Sequence, residues 1–167
     1  CIMLQTYLFR VNQRKDGDDS MIEKTVCFTG HRDIPAEKAE HVKAELRREI
    51  EEAVADGYEH FISGFAEGVD LMAAAIVLEL QEKNPHIRLE AAIPYRRRAL
   101  ALLDNPDTAA ILGKCHVVGV HSEEYFRDCY MRRNRIMLFL STRVIAVYDG
   151  RDKGGTVQTL RFAHIHE

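Results

Sequence analysis

The stretch Phe61-Ile62-Ser63-Gly64-Phe65-Ala66-Glu67-Gly68-Val69-Asp70, running directly into Leu71-Met72-Ala73-Ala74-Ala75-Ile76-Val77-Leu78, constrains the fold more than any other part of this chain. An apolar run ends at a serine and a glycine, a second glycine follows, and an almost wholly apolar helix begins. The pattern is a strand, a tight turn and a buried helix. The free N–H groups and dipole of such a helix start favour a phosphate or another anion, and glycines let a ligand approach the backbone.

The same alternation recurs along the chain. Thr25-Val26-Cys27-Phe28-Thr29 is β-branched and apolar and ends at Gly30, which makes it the first strand of the main domain. Pro35 sets up an amphipathic helix with Val42, Leu46, Ile50, Ala53 and Val54 on one face, closing near Gly57. His60–Ser63 is the second strand, Val69–Glu82 the second helix, and Arg88–Ile93 a third strand stopped by Pro94. Residues 96–113 read as one or two short helices broken at Asn105-Pro106, Val117–Val120 as a fourth strand, and Glu123–Leu140 as helix, continuous or interrupted near Tyr130. Arg143–Tyr148 is the fifth strand, and a last helix begins at Thr156.

Strands alternating with helices, and reading as continuous apolar runs, predict a parallel sheet covered on both faces. The expected fold is α/β, a Rossmann-like three-layer sandwich with a mostly parallel sheet in the order 3-2-1-4-5. At 167 residues with 46% hydrophobic side chains the chain fits one domain. The polar string Asn12–Ser20 reads as a linker, so the domain is expected over residues 21–167, with residues 1–20 an N-terminal extension, linker or appended strand.

Charge and cysteines narrow the class further. With 23 basic against 26 acidic residues the net charge is −3, which argues against binding nucleic acid through nonspecific phosphate contacts. Cys1, Cys27, Cys115 and Cys129 form no C-x-x-C pair, as expected of a reducing, cytoplasmic setting. No histidine or cysteine spacing matches a metal motif, so no metal is expected. Ile2–Val11 lacks the basic flank and cleavage site of a leader, and no run approaches a membrane span.

In an open parallel sheet, ligands bind beyond the carboxyl ends of the strands. There stand Thr29-Gly30-His31-Arg32, Ser63-Gly64 through Glu67, Gly68 and Asp70, then Pro94-Tyr95, and finally Asp149 to Gly154-Gly155-Thr156. The glycines expose amides, Ser63, Thr29 and Thr156 add hydroxyls, Arg32 offers a planar cationic fork, and Asp70 or Glu67 accepts from ribose hydroxyls. In Tyr130-Met131-Arg132-Arg133-Asn134-Arg135, three closely spaced arginines repel unless some find anionic partners. The alternatives are a solvated charged face, or one arginine facing the ligand edge with Asn134 ordering a loop by hydrogen bonding. The basic first turn Arg96-Arg97-Arg98 opposes its helix dipole and calls for an acidic partner or an outside anion.

Taken together, Thr29-Gly30-His31-Arg32 after a first strand, Ile62 to Asp70 with its alanine-rich helix, the Arg133-Asn134 pair, and Val147–Gly150 leading to Gly154-Gly155-Thr156 resemble the YpsA-like family of the SLOG superfamily. The resemblance runs from about Met21 to Ala163. Ser63 to Asp70 also looks like the S-G-x-A-x-G-x-D signature of the superfamily's DNA-processing members, DprA (Smf). The superfamily further includes the LOG-type phosphoribohydrolases. The resemblance implies a pocket for a nucleotide or nucleotide-derived small molecule, such as ADP-ribose, NAD or an AMP-like compound, with no further cofactor required. It also implies pairing into a homo-oligomer.

The leading expectation is therefore a binding or sensor domain. One rival is an N-glycosidic hydrolase of nucleoside monophosphates, for which Glu67, Asp70 or Asp149 would have to supply the acid. In LOG-type enzymes the glycine loop leads to a catalytic glutamate, whereas Val157-Gln158-Thr159-Leu160-Arg161 follows here, with no carboxylate at that place. Single-stranded DNA binding is the third reading. The arginine clusters support it, and the acidic net charge with no aromatic-rich basic stretch opposes it.

Overall fold

The apolar runs become the strands of one sheet in a computed structural model that describes residues 3–8 and 24–165. In chain order the elements are β1 (Met3–Leu8), β2 (Thr25–Gly30), α1 (Ala36–Ala55), β3 (His60–Ser63), α2 (Val69–Lys83), β4 (Arg88–Ile93), α3 (Arg96–Asp104) and α4 (Pro106–Gly113). They continue with β5 (Val117–Val120), α5 (Cys129–Phe139), β6 (Arg143–Tyr148) and α6 (Gly155–Ile165). The linker string at residues 12–20 and the expected domain start at Met21 lie outside the described residues.

Period-two side-chain alternation sends neighbouring residues to opposite faces, and helices cover both. Phe28, Phe61, Leu89 and Ile145 point to the face packed by α1, α2, α3 and α4, where Leu46, Ile50, Ile76, Leu102 and Leu112 complete the larger core. Cys27, Ile62, Ala92, Val144 and Ala146 point the other way, against Met137 and Leu138 of α5 and Leu160 of α6. This is the expected α/β sandwich.

The sheet order is β1-β6-β2-β3-β4-β5, with β1 antiparallel to β6 and the five others parallel. Counting only those five, the order is 4-3-2-1-5, which corrects the expected 3-2-1-4-5. The difference lies in the Val117–Val120 strand, which sits beside β4 with Val118 opposite Ala91. The physical cause is helix placement. Like α1 and α2, the α3–α4 pair packs on the large-core face, so the chain steps outward from β2 to β5 in one direction. Only α5 crosses to the other face, returning the chain to β6 beside β2. The order thus reverses between β2 and β6, which fixes where a ligand crevice can form.

Helix boundaries follow local chemistry. α2 and β4 match their expected limits within a residue, and Pro106 opens α4 with Asn105 Oδ1 accepting from the Asp107 amide at 2.9 Å. α5 begins six residues later than expected, at Cys129, because 123–128 is an irregular segment with a bend at 123–124 and a turn at 127–128. Glu123 in that segment is the acidic partner of the basic α3 start, its Oε1 2.7 Å from Arg96 Nη2. Among the described residues, Cys27, Cys115 and Cys129 are free thiols, no metal-holding cluster occurs, and no helix is long and apolar enough to cross a membrane.

Candidate functional site

A cavity of about 310 Å³ opens at the carboxyl rim where β2 and β6 lie side by side. Four segments converge on it. The end of β2 and the turn after it supply Phe28 and Thr29 through Asp33, the α2 approach supplies Ala66 and Asp70, α5 supplies Tyr130, Met131, Arg133 and Asn134, and the loop into α6 supplies Arg151 and Lys153 through Thr156. Of the expected residues, Thr29, Gly30, His31, Arg32, Asp70, Arg133, Asn134, Gly154, Gly155 and Thr156 therefore share one wall system.

The others do different work beneath or beside it. Ser63 is fully buried, donating to the Asp70 carbonyl at 2.9 Å and accepting from the Phe65 amide at 3.2 Å, so it folds the turn. Gly64 is packed so closely that a β-carbon would lie 2.7 Å from Arg133 Nη1 and 2.8 Å from Asp70 Oδ2. Gly68 caps α2 at φ +81°, and a β-carbon there would meet the His31 and Arg32 carbonyl oxygens at 2.7 and 2.8 Å. The backbone of the β2 turn thus lies across this helix start. Gly30 permits another close approach, since a β-carbon would sit 2.5 Å from Val69 Cβ. Glu67 is exposed and does not line the cavity, nor do Pro94 and Tyr95. Tyr95 packs edge-on against Tyr130, with ring centroids 6.1 Å apart.

The turn after β3 is also strained. Phe65 adopts φ +54° while fully buried, a conformation that a bulky residue holds only when its surroundings over-determine it.

Arg133 organises the floor of the cavity. It is 3% exposed, and its Nη1 donates to the Gly64 carbonyl at 2.6 Å and the Ala92 carbonyl at 3.0 Å, tying the ends of β3 and β4. Its Nε donates to Asn134 Oδ1 at 2.8 Å. Asn134 Nδ2 lies 3.2 Å from Thr159 Oγ1, which in turn donates to the Gly155 carbonyl at 2.8 Å. This relay fixes the first turn of α6 against α5. The hydrogen bonding expected of Asn134 joins two helices where a loop was expected, and Thr159 is a member that the sequence did not reveal.

Asp70 faces Arg133 across this floor. Burial pushes its carboxyl up to about 6, against the opposing pull of the Arg133 guanidinium and the Ala66 amide. Burial also lowers the proton affinity of Arg133, opposed by the Asp70 charge.

At the mouth, Arg151 bridges two carboxylates. Its Nη1 is 3.1 Å from Asp33 Oδ1, its Nε is 2.9 Å from Asp149 Oδ1, and its Nη2 also pairs with Asp149 Oδ2. These bonds hold both carboxyls below the usual carboxylate range. His31 Nε2 lies 3.1 Å from Asp149 Oδ1. Burial lowers the His31 pKa despite that carboxylate, so at neutral pH the ring is an uncharged hydrogen-bond partner. Asp149 belongs to this clamp and does not line the cavity.

Two cations remain. Arg32 stacks its guanidinium 5.1 Å from the Tyr130 ring centroid, and Lys153 is exposed; neither forms a hydrogen bond or ion pair with a described residue. The first amides of α6 have no intrahelical acceptor, and a β-carbon on Gly154 or Gly155 would meet no heavy atom within 4 Å. Of the two glycine-led helix starts, α6 is thus the one open to the cavity. Asp33, Tyr130, Met131, Arg151 and Lys153 were missed as site residues. Their signal was position alone, since Asp33, Arg151 and Lys153 share the loops of Arg32 and Gly154.

A mostly parallel sheet covered by helices on both faces, with its strand order reversing between β2 and β6, defines a Rossmann-like domain. The sequence model described as the YspA SLOG family (YpsA) matches residues 26–164, and the chain belongs to that family. It is similar to the uncharacterised SPbeta prophage-derived protein YoqJ of Bacillus subtilis (strain 168). The two are 31% identical over 137 residues, covering 73% of this chain and 80% of that protein.

Proposed function

We propose that the chain binds a nucleotide or nucleotide-derived small molecule, with phosphate on the α6 start and the sugar toward Asp70. The observation that carries this reading is the set of uncommitted groups in one cavity. Arg32, Lys153, Thr156 and the Gly154-Gly155 start of α6 all line a space that carries four cations and two carboxylates, in a chain of net charge −3. An anion is the complement of such a surface. Asp70, buried against Arg133, is the acceptor placed for hydroxyl groups.

Calorimetry with AMP, ADP-ribose and NAD tests the reading. At least one should bind, and Lys153→Gln and Arg32→Gln should each weaken it by about tenfold, the effect of losing one charge-assisted hydrogen bond. No binding by any of the three, or unchanged affinity in both variants, overturns the reading.

One observation favours a second reading, turnover of an N-glycosidic bond. Asp70 is the acid whose carboxyl lines the cavity and is held near neutrality, as general acid–base chemistry requires. Base release from AMP that Asp70→Asn abolishes would establish it. Binding without release leaves the sensor reading.

A further inference from the structure

We infer that the site selects ligands carrying a single phosphate group and discriminates against diphosphates, with the Asp33–Arg151–Asp149 clamp as the discriminating element. The inference rests on the nucleotide-binding reading above and narrows its substrate class.

The cations of the cavity divide into committed and free. Four line the cavity. Arg133 is buried, with Nη1 on the Gly64 and Ala92 carbonyls and Nε on Asn134, and its charge is offset by the Asp70 carboxylate that faces it. Arg151 has its Nε, Nη1 and Nη2 on two carboxylates. That leaves Arg32 and Lys153, two charges, which match the roughly −1.5 to −2 of one phosphate monoester. Backbone donors tell the same story. The α6 start is open, whereas the α2 start has the His31 and Arg32 carbonyls laid over Gly68, so a second phosphate finds no second helix terminus.

The mouth adds repulsion. Asp33 and Asp149 surround one guanidinium, so this rim carries one net negative charge at neutral pH, and Asp33 is 71% exposed toward the solvent side. A group leaving the cavity through the mouth meets carboxylate. The volume of about 310 Å³ also stands at the lower end of the ~300–1,000 Å³ typical of small-molecule sites.

The test is the selectivity ratio between AMP and ADP-ribose, measured by calorimetry on the full chain. The wild type should bind AMP about tenfold or more tightly than ADP-ribose. Asp33→Asn removes one carboxylate and releases Arg151 Nη1, and should shrink that ratio by roughly two- to fivefold, the scale of one exposed ion pair. ADP against AMP, measured the same way, should show the same shift and separates the second phosphate from the second sugar. ADP-ribose binding as tightly as AMP in the wild type overturns the inference while leaving the nucleotide reading intact. An Asp33→Asn effect equal on all three ligands overturns the clamp's role in the same way. Failure of every nucleotide to bind the folded wild type removes both.

Discussion

At the scale of the residue, the glycines of the two loops separate into two kinds. Gly64 is a packing glycine, because Arg133 is held by two carbonyls and cannot withdraw from an added methyl. Gly64→Ala should therefore cost about 1–3 kcal/mol in chemical denaturation, the usual range for overpacking. Gly155→Ala adds its methyl to open space at a helix start and should stay within about 0.5 kcal/mol of wild type. Equal costs for the two would contradict the packing described.

Asp70 makes a second prediction at this scale. Its folded pKa is raised from 3.8 to about 6. The folded state therefore holds the proton more tightly, and the associated stability is present below about pH 4 and lost as the pH rises through about 6. Roughly 3 kcal/mol is the upper bound from this one group. Asp70→Asn should flatten that part of the stability–pH curve. A wild-type curve that rises across this window, unchanged in Asp70→Asn, would contradict the buried carboxyl. Asp33 and Asp149 act with the opposite sign, since Arg151 depresses both, and the stability they supply is lost as the pH falls below the ordinary carboxylate range.

Among the elements, the geometry of the α6 start is set by α5. The Arg133–Asn134–Thr159–Gly155 relay is the polar tie between them near the cavity. Asn134→Ala removes two hydrogen bonds at once, and should cost about 1–3 kcal/mol and loosen the first turn of α6. Hydrogen exchange should show faster amides at Gln158, Thr159 and Leu160, the first that α6 protects by hydrogen bonding, with the α2 amides at wild-type rates. Acceleration spread evenly over both helices would mean a general loss of stability instead of a local tie. The sequence made part of this visible. A polar Asn beside a cluster of arginines next to an apolar stretch signalled an ordering role, whereas Thr159 lies 25 residues away and only the packing of α5 on α6 brings it there. The late start of α5 was hidden because helix periodicity does not reveal that Glu123 is taken up by Arg96 across a turn.

For the molecule as a whole, the sequence made the layers legible and left the order of the sheet open. Apolar runs such as Arg143–Tyr148 show that a strand is buried on both faces, but not which neighbour it takes. That depends on which crossover helix changes face, and here it is α5, returning the chain to β6 beside β2. The same non-local event decides the site. The motif from Ser63 to Asp70 announced an anion-binding helix start, yet the β2 turn lies over it and the opening falls to α6.

In the proposed complex a phosphate sits on the first turn of α6. Backbone amide NMR during titration with AMP reads this directly. The largest shifts should fall on Gly155, Thr156 and Val157, with smaller ones at Gly68, Val69 and Asp70. Shifts concentrated at Gly68–Asp70, or none at the α6 start under saturating AMP, would contradict it.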